Sequence, residues 1–134
     1  MIGRVGLVRG HKMTELKLRI LFDDAMLGPG KAALLGHIQK TGSISAAGRQ
    51  MGMSYKRAWM LVEEMNAAFR DPLVNSARGG AGGGGAHLSP AGETVLALYE
   101  DVVATALAAA RPKIHLLEAM LKPSPDASDM STEK

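Results

Sequence analysis

A chain of 134 residues with a formal net charge of +3 and no cysteine has room for one domain with a modest core, but not for that core plus a separate ligand-binding domain. The missing thiols exclude disulfides, thiolate catalysis and structural zinc of the usual kind, and fit a cytoplasmic protein. No apolar run is long enough for a bilayer, and 4% aromatic residues are too few for a single-strand binder that stacks bases on exposed rings.

Residues 1–13 carry no periodic pattern, and Arg4 and Arg9 interrupt the apolar run that a signal peptide needs, so a flexible extension is expected, with Met13 as a second candidate start. From Leu16 to Phe22 apolar and basic residues alternate, the mark of a half-buried strand. Gly28-Pro29-Gly30 is a turn. Lys31 to Lys40 then reads as a scaffold helix with Leu34, Leu35 and Ile38 inward.

The stretch SISAAGRQMGMSYKRAW, Ser43 to Trp59, carries the most information. Ser43 is placed to cap a short helix whose apolar side is Ile44 and Ala47. Gly48 is small enough for a second helix to cross closely, and Gly52 suits the positive φ of a tight turn. Ser54 caps the second helix, in which Ala58, Leu61, Val62, Met65 and Phe69 recur at three- and four-residue spacing as one buried stripe. Tyr55, Lys56 and Arg57 are left facing outward from its first turn, where a recognition helix places side chains in the major groove. No acid occurs between Asp24 and Glu63, an interval holding Lys31, Lys40, Arg49, Lys56 and Arg57; a second acid-free interval, Pro72 to Gly92, holds Arg78. Such a distribution suits a surface facing phosphates.

Pro72 is expected to end the helical run, with Leu73 to Ser76 as a short strand and Ala86-His87-Leu88 as its return. The glycine-rich tip between them fits the wing of a winged helix-turn-helix, its backbone able to approach a sugar-phosphate strand and Arg78 at its base. A plain linker is the bland reading. A phosphate-cradling nucleotide loop is disfavoured because no Lys-Ser or Lys-Thr follows the glycines. Ser89-Pro90 opens a last helix, apolar at Val95, Leu98, Tyr99, Val102, Val103, Ala106 and Leu107, which Arg111-Pro112 should kink or end before a second helical piece from Lys113 to Leu121. This helix either only roofs its own small domain or also pairs with its symmetry mate; the second is favoured because a helix-turn-helix gains affinity and register from two half-sites, with Val95, Tyr99, Val102 and Ala106 as the expected homodimer contacts. Thus 14–121 is expected to form one domain, and 122–134, rich in Pro, Ser and Asp, a disordered tail.

The Ser43–Trp59 stretch, EMN at Glu64 to Asn66, Leu73-Val74, the run GGAGGGGA from Gly79 and LSPAG from Leu88 together closely resemble the N-terminal DNA-binding domain of the molybdate-responsive transcription regulators of the ModE type. The resemblance spans about Leu16 to Leu107, and the same domain type is related to LysR-type winged helices. It implies a mainly α winged helix-turn-helix with a β-hairpin wing, which dimerises through its terminal helices and binds a palindromic operator. On that pattern Ser54, Tyr55, Lys56 and Arg57 start the recognition helix, Ser43 and Ser45 start the supporting helix, and Arg78, Gly82 and Gly83 belong to the wing. Full-length members add C-terminal oxyanion-binding domains that sense molybdate. The 134 residues are expected to lack them, so control of molybdenum-related genes without direct molybdate sensing is anticipated, and any effector stays open.

Bland readings stand beside these. Trp59 is expected to pack at the edge of the recognition helix, Met51, Met53, Met60 and Met65 to fill core gaps, and the scattered histidines His11, His37, His87 and His115 to be surface or wing residues without metal-ligand spacing. No cofactor, metal or membrane partner is expected. A winged helix used for protein contact with a full-length regulator is the alternative function, and an enzyme is disfavoured because no nucleophile turn or paired-carboxylate spacing occurs.

Overall fold

Proline at position 29 fixes where the helical frame begins. In the computed structural model, which describes residues 14–77 and 85–123, helix α1 covers Pro29–Thr41. It opens two residues before Lys31 because Gly28 is extended at φ −146 and Pro29 sits in the first turn, where its missing N–H is no loss. Leu34, Leu35 and Ile38 point inward and are fully buried, as their spacing requires. Gly42 ends the helix in the left-handed region at φ 73 and donates its N–H to Ile38 O at 2.8 Å.

Ahead of α1, β1 (Ile20–Leu21) pairs antiparallel with β2 (Met26–Leu27), Ile20 opposite Leu27. The expected alternation is present, with Leu16, Leu18 and Ile20 half-buried and Lys17, Arg19 and Leu21 exposed. The strand itself is shorter than Leu16–Phe22, because its partner runs for two residues before the chain turns into α1.

Two helices follow, α2 (Ile44–Gln50) and α3 (Tyr55–Ala68). The latter stops at Ala68, earlier than the expected boundary at Pro72: Phe69 is already extended at φ −104, ψ 158. Phe69 is half-buried and closes the stripe of Ala58, Leu61, Val62 and Met65, which are buried. Strands β3 (Val74–Ser76) and β4 (Ala86–Leu88) form an antiparallel hairpin with Asn75 opposite His87.

Helix α4 covers Pro90–Ala119 without interruption, although Pro112 lies inside it. The expectation that Arg111-Pro112 kinks or ends the helix is therefore corrected. A proline there costs one backbone hydrogen bond and a steric contact, about 3 kcal/mol, and the Ala108-Ala109-Ala110 run before it is the best available helix former and offers no side-chain bulk to the ring. Compact packing divides the described residues at Val103/Ala104, with α4 running through the boundary. In the first unit one core joins Leu27, the inward faces of α1 to α3, Leu73, Val74, Ala86, Leu88, Leu96 and Tyr99. Tyr99 donates its hydroxyl to Leu18 O at 2.6 Å, a contact across 81 positions of sequence. In the second unit Leu116 and Leu117 are exposed.

Among the described residues no helix is long and apolar enough to cross a membrane, and no group of three or more His, Asp or Glu side chains is arranged to hold a metal ion.

Candidate nucleic-acid interface

The interface is built on a turn that glycine alone fits well. At the end of α2, Gly52 takes φ 72 and donates to Arg49 O at 3.0 Å, while Met53 N–H reaches Gly48 O at 3.0 Å. This pair of bonds closes the helix C-terminus in the Schellman pattern. Gly48 lets the two helices approach: a methyl group placed on it would lie 2.9 Å from Ala58 Cβ of α3. Both glycines therefore act as their sequence positions suggest.

Each helix of the pair starts on a serine. Ser43 Oγ accepts the N–H of Ala46 at 3.0 Å, and Ser54 Oγ accepts that of Arg57 at 3.0 Å. Exchanging Ser54 for alanine is expected to lower stability by about 1 kcal/mol through the orphaned amide. Thermal unfolding of Ser54→Ala checks it; an unchanged melting temperature would mean that water caps the helix equally well.

Beyond the cap, Tyr55, Lys56 and Arg57 are all exposed, Tyr55 at 60%. The Tyr55 ring leans edge-on against Trp59, with centroids 6.1 Å apart and planes at 71°. Trp59 is half-buried and packs on the core, as expected, although its Nε1–H is enclosed without an acceptor among the described residues. Ser43 and Ser45, at the start of α2, are half-buried. Ser43 is engaged in the cap, and Ser45 Oγ receives Arg49 Nη1 at 3.2 Å. Arg78, Gly82 and Gly83 lie outside the described residues.

Charge around this surface is narrower than the sequence intervals suggest. Lys31 is withdrawn from it: its ammonium group lies 3.2 Å from Glu64 and 3.2 Å from Met26 O, with the side chain only 11% exposed. Lys40, Arg49, Lys56 and Arg57 remain exposed. The Lys31–Glu64 pair joins α1 to α3, a spatial contact between residues far apart in sequence.

The hairpin is anchored at its base by three other elements. Ala86 N–H donates to Gly42 O at 2.9 Å, tying β4 to the α1–α2 turn. Ser89, buried at the start of α4, donates its hydroxyl to Pro72 O at 2.6 Å and accepts Gly92 N–H at 3.0 Å. Asn66 of α3 holds β3: Oδ1 accepts the amides of Leu73 at 2.8 Å and Val74 at 3.0 Å, and Nδ2 donates to Val74 O at 3.1 Å. Sequence reasoning placed Asn66 in the EMN motif without a role. The available signal was a side-chain amide near the end of a helix, a few residues before an extended apolar pair. Asn75 and His87, paired across the hairpin, are both exposed.

Of the residues expected at a dimer contact, Tyr99 is 6% exposed and engaged inside its own chain. Val95 is half-buried against the core, Val102 is exposed, and Ala106, in the second unit, is half-buried. His37 Nδ1 lies 2.6 Å from Gln50 Oε1, while His87 and His115 are exposed. Met51 and Met53 pack on the core and Met65 lies within it, but Met60 is 40% exposed, one residue off the buried stripe of α3.

Residues 32–93, from α1 to the first turn of α4, match the bacterial regulatory helix-turn-helix proteins of the lysR family. The chain is 50% identical over 80 residues, 60% of its length, to the molybdenum-pterin-binding protein MopB of Rhodobacter capsulatus, covering 30% of that protein. It is 49% identical over 77 residues, 58% of its length, to the transcriptional regulator ModE of Yersinia pestis, covering 29% of it. Against the DNA-binding transcriptional dual regulator ModE of Escherichia coli K12 the identity is 44% over 72 residues, 54% of this chain and 28% of the relative. The chain thus matches less than a third of the length of each of these curated relatives.

Proposed function

We propose that this chain, whose residues 32–93 are a helix-turn-helix domain of the lysR type, binds a palindromic DNA duplex as a homodimer and regulates transcription of molybdenum-related genes. The observation that carries the reading is the exposed triplet Tyr55, Lys56 and Arg57 on the first turn of a capped helix that crosses its partner at Gly48. A helix N-terminus so presented enters the major groove with its first side chains against base edges. Exposed Lys40 and Arg49 would add the phosphate contacts that set register without reading sequence. The molybdenum connection is carried over from the names of the relatives.

Homodimerisation draws on the exposed apolar residues of α4: Leu98 and Val102 in its first part, Leu116 and Leu117 in its last turns. Tyr99 is better assigned to the chain's own core. A chain acting on the chromosome works in the cytoplasm.

Selection of bound fragments from the organism's own genome, in moderate salt, tests the reading. The expected product is a palindrome whose half-site centres lie about 34–36 Å apart, one turn of duplex. No preference over random duplex after selection would refute sequence-specific regulation.

A further inference from the structure

A two-stranded hairpin with three-residue strands is marginal on its own, so the direction in which it projects is set by what grips its base. Buried Val74, Ala86 and Leu88 supply apolar contact, which is non-directional. Direction comes from the hydrogen bonds. Gly42 O and Ser89 hold the hairpin to the α1–α2 turn and to α4. Asn66 holds it to α3, the helix that carries Tyr55, Lys56 and Arg57, through three hydrogen bonds between 2.8 and 3.1 Å.

We propose that Asn66 is a positioning residue that fixes the hairpin relative to the recognition helix, and thereby sets the hairpin's share of duplex contact. The inference rests on the DNA-binding reading. Its physical core is leverage. A strand rises about 3.3 Å per residue, so three residues beyond Val74 the backbone is roughly 10 Å from the anchor, and a swing of about 10° there displaces it by nearly 2 Å. A displacement of that size is enough to separate a donor from a phosphate oxygen. Both functions of the amide are needed. Oδ1 accepts two successive N–H groups and Nδ2 donates to Val74 O, so three successive peptide units, from Pro72–Leu73 to Val74–Asn75, are tied to α3. Asn66→Asp keeps an oxygen for the two N–H groups and loses the donor, placing a carboxylate oxygen against Val74 O; Asn66→Ala loses all three bonds.

The test uses the full chain with the duplex selected above. Affinity is measured across salt concentrations for the unaltered chain, Asn66→Asp and Asn66→Ala, on the selected duplex and on one with a base pair changed under the recognition helix. Asn66→Ala is expected to bind the selected duplex roughly tenfold or more weakly, with a shallower salt dependence by about 0.9 for each phosphate contact given up. Discrimination between the two duplexes stays as in the unaltered chain. Asn66→Asp falls between the two. Independently of DNA, backbone order parameters at 74–76 and 86–88 drop from the rigid value of about 0.85 toward 0.6 in Asn66→Ala.

A folded Asn66→Ala with unaltered affinity, salt dependence and order parameters overturns the proposal. So does a loss of discrimination at constant salt slope, which would mean a general loosening of the helix pair. Should Asn66→Ala not fold, Asn66→Asp decides by the same readings. If the unaltered chain binds no duplex, the DNA reading and the hairpin's share in it both fall, whereas rigid order parameters in the variants would reject the anchoring role alone.

Discussion

Replacing Gly92 by alanine is expected to lower the stability of the chain by about 3 kcal/mol, against a usual range of 1–3 for overpacked core positions. A Cβ at position 92 would overlap Leu73 O and lie 3.0 Å from Leu73 C and 3.3 Å from Leu73 Cα. The obstacle is backbone, so no side chain can rotate out of the way. Leu73 has little freedom to retreat, since it is fully buried, its N–H is bound to Asn66 Oδ1 and its carbonyl accepts Ser89 N–H at 2.8 Å. Against this, alanine in a helix interior is worth about 1 kcal/mol over glycine, and the steric term exceeds it. Thermal unfolding followed by circular dichroism should show a drop of roughly 10–20 °C. Gly30→Ala, where nothing lies within 4 Å, is the control and should be neutral or slightly stabilising. Equal melting of the Gly92 variant and the unaltered chain would show that α4 slides off β3 at little expense.

The second large effect concerns Arg57. It is exposed on the first turn of α3, its backbone held by the Ser54 cap while its guanidinium is left for a partner. A bidentate contact to a guanine edge is worth about 1–3 kcal/mol of discrimination. If the chain binds as the proposed twofold-symmetric dimer, the substitution is made at both half-sites, and Arg57→Ala is then expected to cost about 2–6 kcal/mol per dimer on the selected palindrome. The loss should concentrate at one base-pair position per half-site. Titration against duplexes altered one position at a time checks this. A loss of equal size on every sequence, with the salt slope reduced by about one per half-site, would assign Arg57 to phosphate.

Local chemistry accounts for what was legible in the sequence. The caps at Ser43 and Ser54, the close crossing at Gly48, the left-handed turn at Gly52 and the hairpin bases at Leu73-Val74 and Ala86 to Leu88 each follow from one residue type in a tight neighbourhood, and each is present. What escaped depends on partners distant in sequence. The β2 strand is two residues long and defined by its pairing with β1. Lys31 looked like one more free cation, because nothing nearby in sequence announces Glu64 beside it. Leu96 was left out of the apolar face of the last helix although it is buried, while Leu98 and Val102, which were included, are exposed. That helix is apolar around much of its circumference, so the pattern alone does not single out the covered side. Asn66 had the same difficulty, since its role resides in backbone groups seven and eight positions away.

The hydroxyl of Tyr99 resting on Leu18 O closes a long loop of chain. The bond spans 81 positions, from the residue two before β1 to a point beyond the second turn of α4. Leu18, made early, gains this one tether only after position 99 has been made, whereas Leu27 and the Lys31–Met26 O bond tie β2 to the core by themselves.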